Sequence, residues 1–268
     1  MLDIANIQRT LDTRRVGRRI EHLESTTSTN DAAWAQIDLG GADGLVVFAE
    51  HQSAGRGRFG RKWESPKGAS LLCSVAIVDT SDEISGGELS LLSAVAVRDA
   101  IARCSEVVPT IKWPNDLLVL RRKLGGILVE SRANGGGGRV YVVGIGINCL
   151  QQRGHISPDL IDRATSLELE SKQKIDRNEL AAAVLAELDG WLADPGGWTY
   201  EKLHRDWLLR AEPLGWRVRL QHAGKIHSGS VVDIDPNAAL VVQLDEGGIR
   251  AFNVADTTVV PDDPSATE

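Results

Sequence analysis

Nine consecutive residues, Gly55-Arg56-Gly57-Arg58-Phe59-Gly60-Arg61-Lys62-Trp63, bring together three glycines, three arginines and a lysine, closed by a tryptophan. Glycines let a backbone approach a ligand closely and adopt positive φ. Successive N–H groups in such a loop can form an anion-binding concavity. Arginine adds forked, permanently charged donors suited to carboxylate or phosphate. The chemistry this suggests is closure of a flap over an anionic small molecule; the competing reading is a solvated basic turn. Two familiar phosphate motifs fit only by letter. Gly55-x-Gly57-x-x-Gly60 matches a dinucleotide fingerprint, with an apolar stretch at 45–49 before it and Asp79 about 20 residues after it. That fingerprint needs a helix directly after the glycines. Here Arg61 to Gly68 contains Pro66 and no helical apolar period. A Walker A reading fails because Arg61 separates Gly60 from Lys62 and Trp63 stands where Ser or Thr is required.

The remaining 259 positions constrain what can surround this loop. The chain has 268 residues, 42% of them hydrophobic, enough for one large domain and a small one. A net charge of −7 argues against a general nucleic-acid binder, which needs a basic face. No apolar run approaches the roughly 18 residues of a membrane span, and the N-terminus lacks an apolar secretion segment. Cys73, Cys104 and Cys149 are widely spaced and form no CxxC pair. They read as reduced thiols of a cytoplasmic protein.

Taken in order, residues 1–24 read as a helix leading into the domain. Ser25-Thr26-Thr27-Ser28-Thr29-Asn30 is a hydroxyl-rich turn feeding a helix over 31–37, with Thr29 or Asn30 as its N-cap. Strands are expected at 45–50 and 71–78, and an amphipathic helix at 88–104. Runs at 107–113, 117–120, 124–131 and 139–149 suggest an antiparallel meander. Its punctuation is Pro114-Asn115-Asp116, Arg121-Arg122-Lys123 and the glycine-rich stretch 134–138. Helices are expected at 176–193, with Asp176 and Glu179 in a capping-box pattern, and at 198–210, the two separated by Pro195-Gly196-Gly197. A domain boundary is placed at 212–215, giving units 1–211 and 212–268. Beyond it, short strands at 217–221, 225–233, 239–244, 249–253 and 257–260 suggest a small β-barrel, followed by a disordered tail from 262.

Further segments fall into line with the opening loop: Ser28-Thr29-Asn30; Gln52; Lys112-Trp113-Pro114-Asn115-Asp116; Lys123-Leu124-Gly125-Gly126-Ile127-Leu128-Val129-Glu130; and Gly144-Ile145-Gly146-Ile147-Asn148. In this order and spacing they resemble the biotin protein ligase family over about residues 25–260. The resemblance implies an α/β (α+β) fold: a mixed, largely antiparallel sheet with packed helices, a class II synthetase-like catalytic domain, and an SH3-like β-barrel. It also implies a two-step reaction in which biotin and ATP form biotinyl-AMP and a lysine of a carboxylase carrier domain then receives the biotin. Magnesium would accompany ATP on its phosphates, without a protein metal cage.

Carried over residue by residue, the resemblance places Ser28, Thr29, Asn30, Gln52, Gly55, Arg56, Gly57, Arg58, Lys123 and Gly126 around biotin. It places Arg58, Arg61, Trp63, Asn115, Lys123 and Asn148 around ATP. Lys123 is the expected electrostatic catalyst, Arg58 lies over the forming acyl phosphate, and Asp116 would take a proton from the acceptor lysine. Each has a plain alternative: helix capping for Ser28 to Asn30, a surface amide for Gln52, a core ring or loop anchor for Trp63, turn residues for Asp116 and Lys123, and a strand-end amide for Asn148. The partners expected are biotin carboxyl carrier domains, with no membrane. Family members that double as repressors carry a winged helix ahead of the Ser-Thr-Asn segment. Only 27 residues precede Ser28, so no sequence-specific DNA binding is expected. A free edge strand could pair with a second copy as a homodimer. Two rival activities are a lipoate- or octanoate-attaching relative of the same fold and a non-catalytic biotin-binding module.

Overall fold

A computed structural model describes residues 1–40, 43–81, 83–193, 198–235 and 237–260. The expected break at 195–197, Pro236 within the 235–237 turn and the tail from 262 lie outside the described residues. Elements are numbered in chain order. The main sheet contains β1 (Arg19–Leu23), β2 (Leu45–Ala49), β3 (Ser70–Asp79), β4 (Thr110–Lys112), β5 (Asp116–Val119), β6 (Arg122–Ala133) and β7 (Arg139–Asn148), ordered β1-β2-β3-β7-β6-β5-β4. Only β1 and β2 run parallel; every other neighbouring pair is antiparallel. The helices are α1 (Ile4–Thr10), α2 (Thr29–Asp38), α3 (Gly86–Cys104), α4 (Leu167–Glu170), α5 (Arg177–Leu192) and α6 (Tyr200–Leu208). A second, antiparallel sheet holds β8 (Arg217–His222), β9 (Lys225–Ile234), β10 (Leu240–Leu244), β11 (Ile249–Phe252) and β12 (Thr257–Val260), ordered β11-β10-β9-β8-β12. The mixed, largely antiparallel α+β architecture matches expectation; the five-stranded sheet is a coarser description than an SH3-like barrel.

Strand alternation divides the main sheet between two environments. Val46, Phe48, Leu71, Cys73, Val75, Ile77, Tyr141, Val143, Ile145 and Ile147 enter the main core, which includes α3 and α5. Leu45, Val47, Ala76, Val140 and Val142 face the other way and pack with Ala33 and Trp34 of α2. The main core continues into the second sheet through Val218, Leu220, Val231, Leu240 and Phe252.

The single helix expected over 1–24 is corrected. It stops at Thr10, and β1 begins at Arg19. The reason is non-local: the Asp189 carboxylate of α5 accepts the backbone N–H groups of Arg14, Arg15 and Val16, and Gly17 turns the chain with φ 84°. The α2 cap is Ser28 rather than Thr29 or Asn30; its hydroxyl accepts from the Asn30 N–H. The expected 107–113 strand contracts to β4. Between β5 and β6, Leu120 (φ 48°) and Arg121 (φ 63°) both adopt left-handed conformations. Two such residues make the tight hairpin turn that matches strand twist, here without the usual Asn or Gly. The β4 edge is not free at Ile111, whose N–H and carbonyl bond with Arg210 and Glu212.

Glu50, at the end of β2 where the basic loop departs, is 1% exposed. Its carboxylate accepts from the Leu2 N–H at 2.6 Å and Arg177 Nη2 at 2.7 Å, and lies 3.1 Å from His22 Nε2. Burial alone would raise its pKa, but the Leu2 N–H and the Arg177 guanidinium hold it below the ordinary carboxylate value. Replacing it strands a buried guanidinium. Glu50→Gln is therefore expected to lose about 3–5 kcal/mol in urea unfolding near pH 7. A depressed folded-state pKa contributes stability fully above the unfolded carboxylate value, lost as pH falls through the folded one. The wild-type advantage over the variant should therefore shrink across that acidic window.

Candidate active site

The even-numbered residues of β7 explain where a ligand can sit. Val140 and Val142 pack under α2, but Gly144 and Gly146 follow on the same face. A Cβ on Gly144 would lie 2.4 Å from Asn30 Oδ1, and one on Gly146 would lie 2.8 Å from the Trp63 ring. The missing side chains admit Asn30 and Trp63, and beside them opens a cavity of about 600 Å³.

One wall is polar and organised by α2. Thr29 donates both its backbone N–H (2.7 Å) and its hydroxyl (3.0 Å) to Gln52 Oε1. This fixes the Gln52 amide, leaving its Nε2 without a hydrogen bond to the described residues. Ser74 Oγ lies 2.8 Å from Thr29 Oγ1 and 2.6 Å from Asn30 Oδ1. Asn30 Nδ2 and Trp63 Nε1 are buried donors with no partner among the described residues. A buried donor left unpaired costs about 1–3 kcal/mol, which an acceptor on a ligand would offset.

The basic loop forms a second wall. It is a small hairpin, with Gly57 N–H to Arg61 O at 2.7 Å and Trp63 N–H to Gly55 O at 2.9 Å, and Phe59 at its tip has φ 55°. Gly55 is behind the cavity: a Cβ there would meet Trp63 O at 2.5 Å. Arg56 lines the cavity, but its guanidinium grips Asp31 at 2.6 and 2.8 Å and Glu130 at 3.2 Å. The Asp31 carboxylate, drawn by Arg56, sits below its ordinary pKa, and the Arg56 pKa is raised in turn. Arg58 points towards the second sheet, donating to the carbonyls of Val254 and Thr257 (the latter at 3.2 Å), with Asn115 Oδ1 at 3.5 Å. Burial lowers the pKa of its guanidinium. Thus two of the arginines expected to face ligand are occupied by protein groups, while Arg61 and Lys62 line the cavity with no side-chain partner among the described residues.

The floor comes from β5 and β6. Asp116 pairs with Gly126 and Leu117 with Gly125, but Leu118 then pairs with Lys123. Leu124 is the extra residue of this bulge and is fully buried. An extra residue reverses which face the next side chain takes. Lys123 is thereby turned to the cavity, where Nζ lies 2.5 Å from Asp116 Oδ1 and 5.8 Å from the Trp63 ring centre. A Cβ on Gly126 would stand 3.3 Å from Lys123 Nζ. Asn115 Nδ2 donates to Ile127 O (2.7 Å), and Asn148 Nδ2 donates to Thr165 O (2.9 Å).

The cavity also takes in residues that no motif marked, among them Gln151, His155, Arg163 and, from the second sheet, Thr258. The 151–164 segment has neither strand nor helix period. It reaches the site through backbone bonds to Lys123: Lys123 N–H to Arg163 O at 2.7 Å and Thr165 N–H to Lys123 O at 2.9 Å. Among the described residues no cluster of three or more His, Cys, Asp or Glu could hold a metal, and no helix is long and apolar enough to cross a membrane.

With this geometry in view, comparison with known proteins assigns the class. The model of the biotin/lipoate A/B protein ligase family matches residues 22–148. The chain is 35% identical over 243 residues to the biotin–[acetyl-CoA-carboxylase] ligase of Mycobacterium tuberculosis, covering 86% of this chain and 85% of that protein. It is 30% identical over 237 residues to the bifunctional ligase/repressor BirA of Bacillus subtilis, covering 88% and 73%. In fold it resembles the biotin protein ligase from Aquifex aeolicus in complex with biotin and ATP, with TM-score 0.75 and 23% identity over 91% of this chain and 99% of that one. The Leishmania major biotin protein ligase in complex with biotinyl-5-AMP gives TM-score 0.61 and 25% identity over 88% and 99%. The chain belongs to the biotin protein ligase family.

The contact between Trp63 and Gly146 is open to direct test. Gly146→Ala should force the indole out of place, at a cost of about 1–3 kcal/mol in urea unfolding, and should alter Trp emission in the folded protein.

Proposed function

We propose that this protein is an ATP-dependent biotin–protein ligase that activates biotin as biotinyl-5′-AMP and transfers it to a lysine of a biotin carboxyl carrier domain. The observation that carries this reading is one cavity in which the Thr29–Gln52 pair, the basic hairpin and the Lys123 ammonium meet. Residues 1–211 are assigned the catalytic unit and 212–268 the C-terminal unit, which we assign as an SH3-like barrel.

The polar wall suits the biotin head: the free Gln52 Nε2 and the unpaired Asn30 Nδ2 are donors for a ureido oxygen. Gly144, Gly146 and Gly126 let Asn30, Trp63 and Lys123 reach the cavity wall, and the apolar chain would lie in the cavity beside them. In the first step a biotin carboxylate oxygen bonds to the α-phosphorus, the bond from that phosphorus to the bridging oxygen breaks, and pyrophosphate leaves. Two anions must be brought together, so cation placement dominates the barrier. Lys123 supplies a point charge on the floor; Arg61 and Lys62 supply charge from the hairpin; Asn115 and Asn148 are placed near the nucleotide. Arg58 would join them by leaving its carbonyl partners. Magnesium would ride on the phosphates and reduce their charge, since Asp116 and Glu64 are the acids among the lining residues and Asp116 is already paired.

In the second step the carrier amine must be neutral to attack the acyl carbon; AMP leaves with the electrons of the acyl–oxygen bond. Asp116 Oδ2 accepts no hydrogen bond from the described residues, and we assign it the amine proton. Exclusion of water would protect the mixed anhydride. The three free cysteines, two of them buried with thiol pKa pushed up to about 12, suit a reducing cytoplasm.

Intact-mass spectrometry of a carrier domain incubated with protein, biotin and MgATP should show a gain of one biotin less one water. Lipoate in place of biotin should give none. Lys123→Ala should slow the gain by about 10²–10³-fold with folding preserved; full activity in that variant would remove Lys123 from the mechanism.

A further inference from the structure

Of the cationic side chains lining the cavity, three are spoken for: Arg56 by Asp31 and Glu130, Arg58 by carbonyls of the second sheet, and Lys123 by Asp116. Three are not: Arg61 and Lys62 on the basic hairpin, and Arg163. All three are exposed, and none has a side-chain partner among the described residues. Arg163 stands apart from the others because it comes from a different element. Its own carbonyl accepts the Lys123 N–H at 2.7 Å, and Ala164 bridges to Lys123 as a strand neighbour would. The base of the Arg163 side chain is thus fixed to the backbone of the floor lysine. Among the described residues this guanidinium caps no helix and pairs with no acid, although Asp159 and Asp162 are close in sequence.

We infer that Arg163 is a further substrate-contacting residue of the adenylation step, a guanidinium clamp for the β- and γ-phosphates of ATP and for the pyrophosphate they become. The inference rests on the ligase reading above. When the carboxylate oxygen bonds to the α-phosphorus, the electron pair of the breaking bond passes to the bridging oxygen of the departing pyrophosphate. Negative charge therefore grows on the outer phosphates, and a forked donor matches their oxygens. Arg61 and Lys62 belong to the returning arm of the basic hairpin, whereas Arg163 is tied to the sheet through its carbonyl. Cations from two elements lining one cavity would give a polyphosphate contacts that AMP, lacking the outer phosphates, cannot make. Arg163 should consequently matter for ATP and pyrophosphate and not for the adenylate or for transfer.

The test uses Arg163→Ala and Arg163→Lys in the full chain, with melting temperature confirming folding. Calorimetric titration with magnesium and α,β-methylene-ATP, whose α–β linkage is not cleaved, should show about ten-fold weaker binding for Arg163→Ala, with AMP binding unchanged and partial recovery in Arg163→Lys. Inhibition of adenylation by pyrophosphate should weaken in parallel, while transfer from preformed biotinyl-AMP to a carrier domain keeps its wild-type rate. Equal losses for AMP and the ATP analogue, no loss for either, or a loss confined to transfer would each overturn the assignment. Wild-type protein that releases no pyrophosphate with biotin and MgATP would instead overturn the ligase reading, and this inference with it.

Discussion

The site depends on side chains that are missing from one face of one strand. Along β7 the positions facing α2 run Val140, Val142, Gly144, Gly146 and Asn148, and the strand changes at Gly144 from wall to window. The opposite face does not change: Tyr141, Val143, Ile145 and Ile147 stay in the core, so the backbone keeps its register while its outer face empties. The neighbouring strand continues the opening, since Gly126 of β6 pairs with Gly146. Asn30 from α2 and Trp63 from the basic hairpin enter this space to distances at which any Cβ would overlap them. A rigid antiparallel sheet thus provides the cavity floor without a loop having to form it.

Charge is distributed by the same logic. Arg56 ties the hairpin to α2 and β6, and Arg58 ties it to the second sheet. The hairpin is therefore held on two sides by arginines whose type alone would have suggested ligand contacts. The carbonyl partners of Arg58 do not neutralise it, and its burial disfavours the charged form. Arg56 already has two carboxylates and gains less from a third anion. Within one motif, then, one arginine is a strut and the next is held against carbonyls that an anion could replace.

Much of this was legible in the sequence, for local reasons. The Ser-Thr-Asn turn, the glycine–arginine loop, Lys123 and the Gly-Ile-Gly-Ile-Asn strand are each short segments whose residue types state a backbone requirement or a charge. The long alternating runs of β3, β6 and β7 and the period of α3 were equally plain. What could not be read depends on partners distant in the chain. Asp189 ends the N-terminal helix from 173 to 175 residues away, and nothing in residues 14–16 announces it. Gly55 belongs to the motif, and what the sequence does not announce is that its missing side chain lets Trp63 and Gln52 pack close to its backbone. Segment 151–164 has no periodicity, and its end is placed by backbone bonds of Arg163 and the adjoining Thr165 to Lys123.

Lys123 itself shows how placement can be governed by one added residue. In a regular strand, two-residue alternation from Gly126 would put position 124 on the cavity face and 123 in the core. Leu124 is the residue that would then project into the site. The bulge reverses this: Leu124 is buried and the ammonium faces Asp116. The reversal is then locked from the other side, because Arg163 and Thr165 take the Lys123 N–H and carbonyl respectively. A lysine ammonium is a compact charge whose position a flexible stem leaves loosely fixed. Here its backbone is bonded on two sides, its ammonium is held by a carboxylate, and Gly126 leaves room for the pair. The position of positive charge on the floor is thus set by the sheet rather than by the substrate, and a site that must join two anions can be arranged before either arrives.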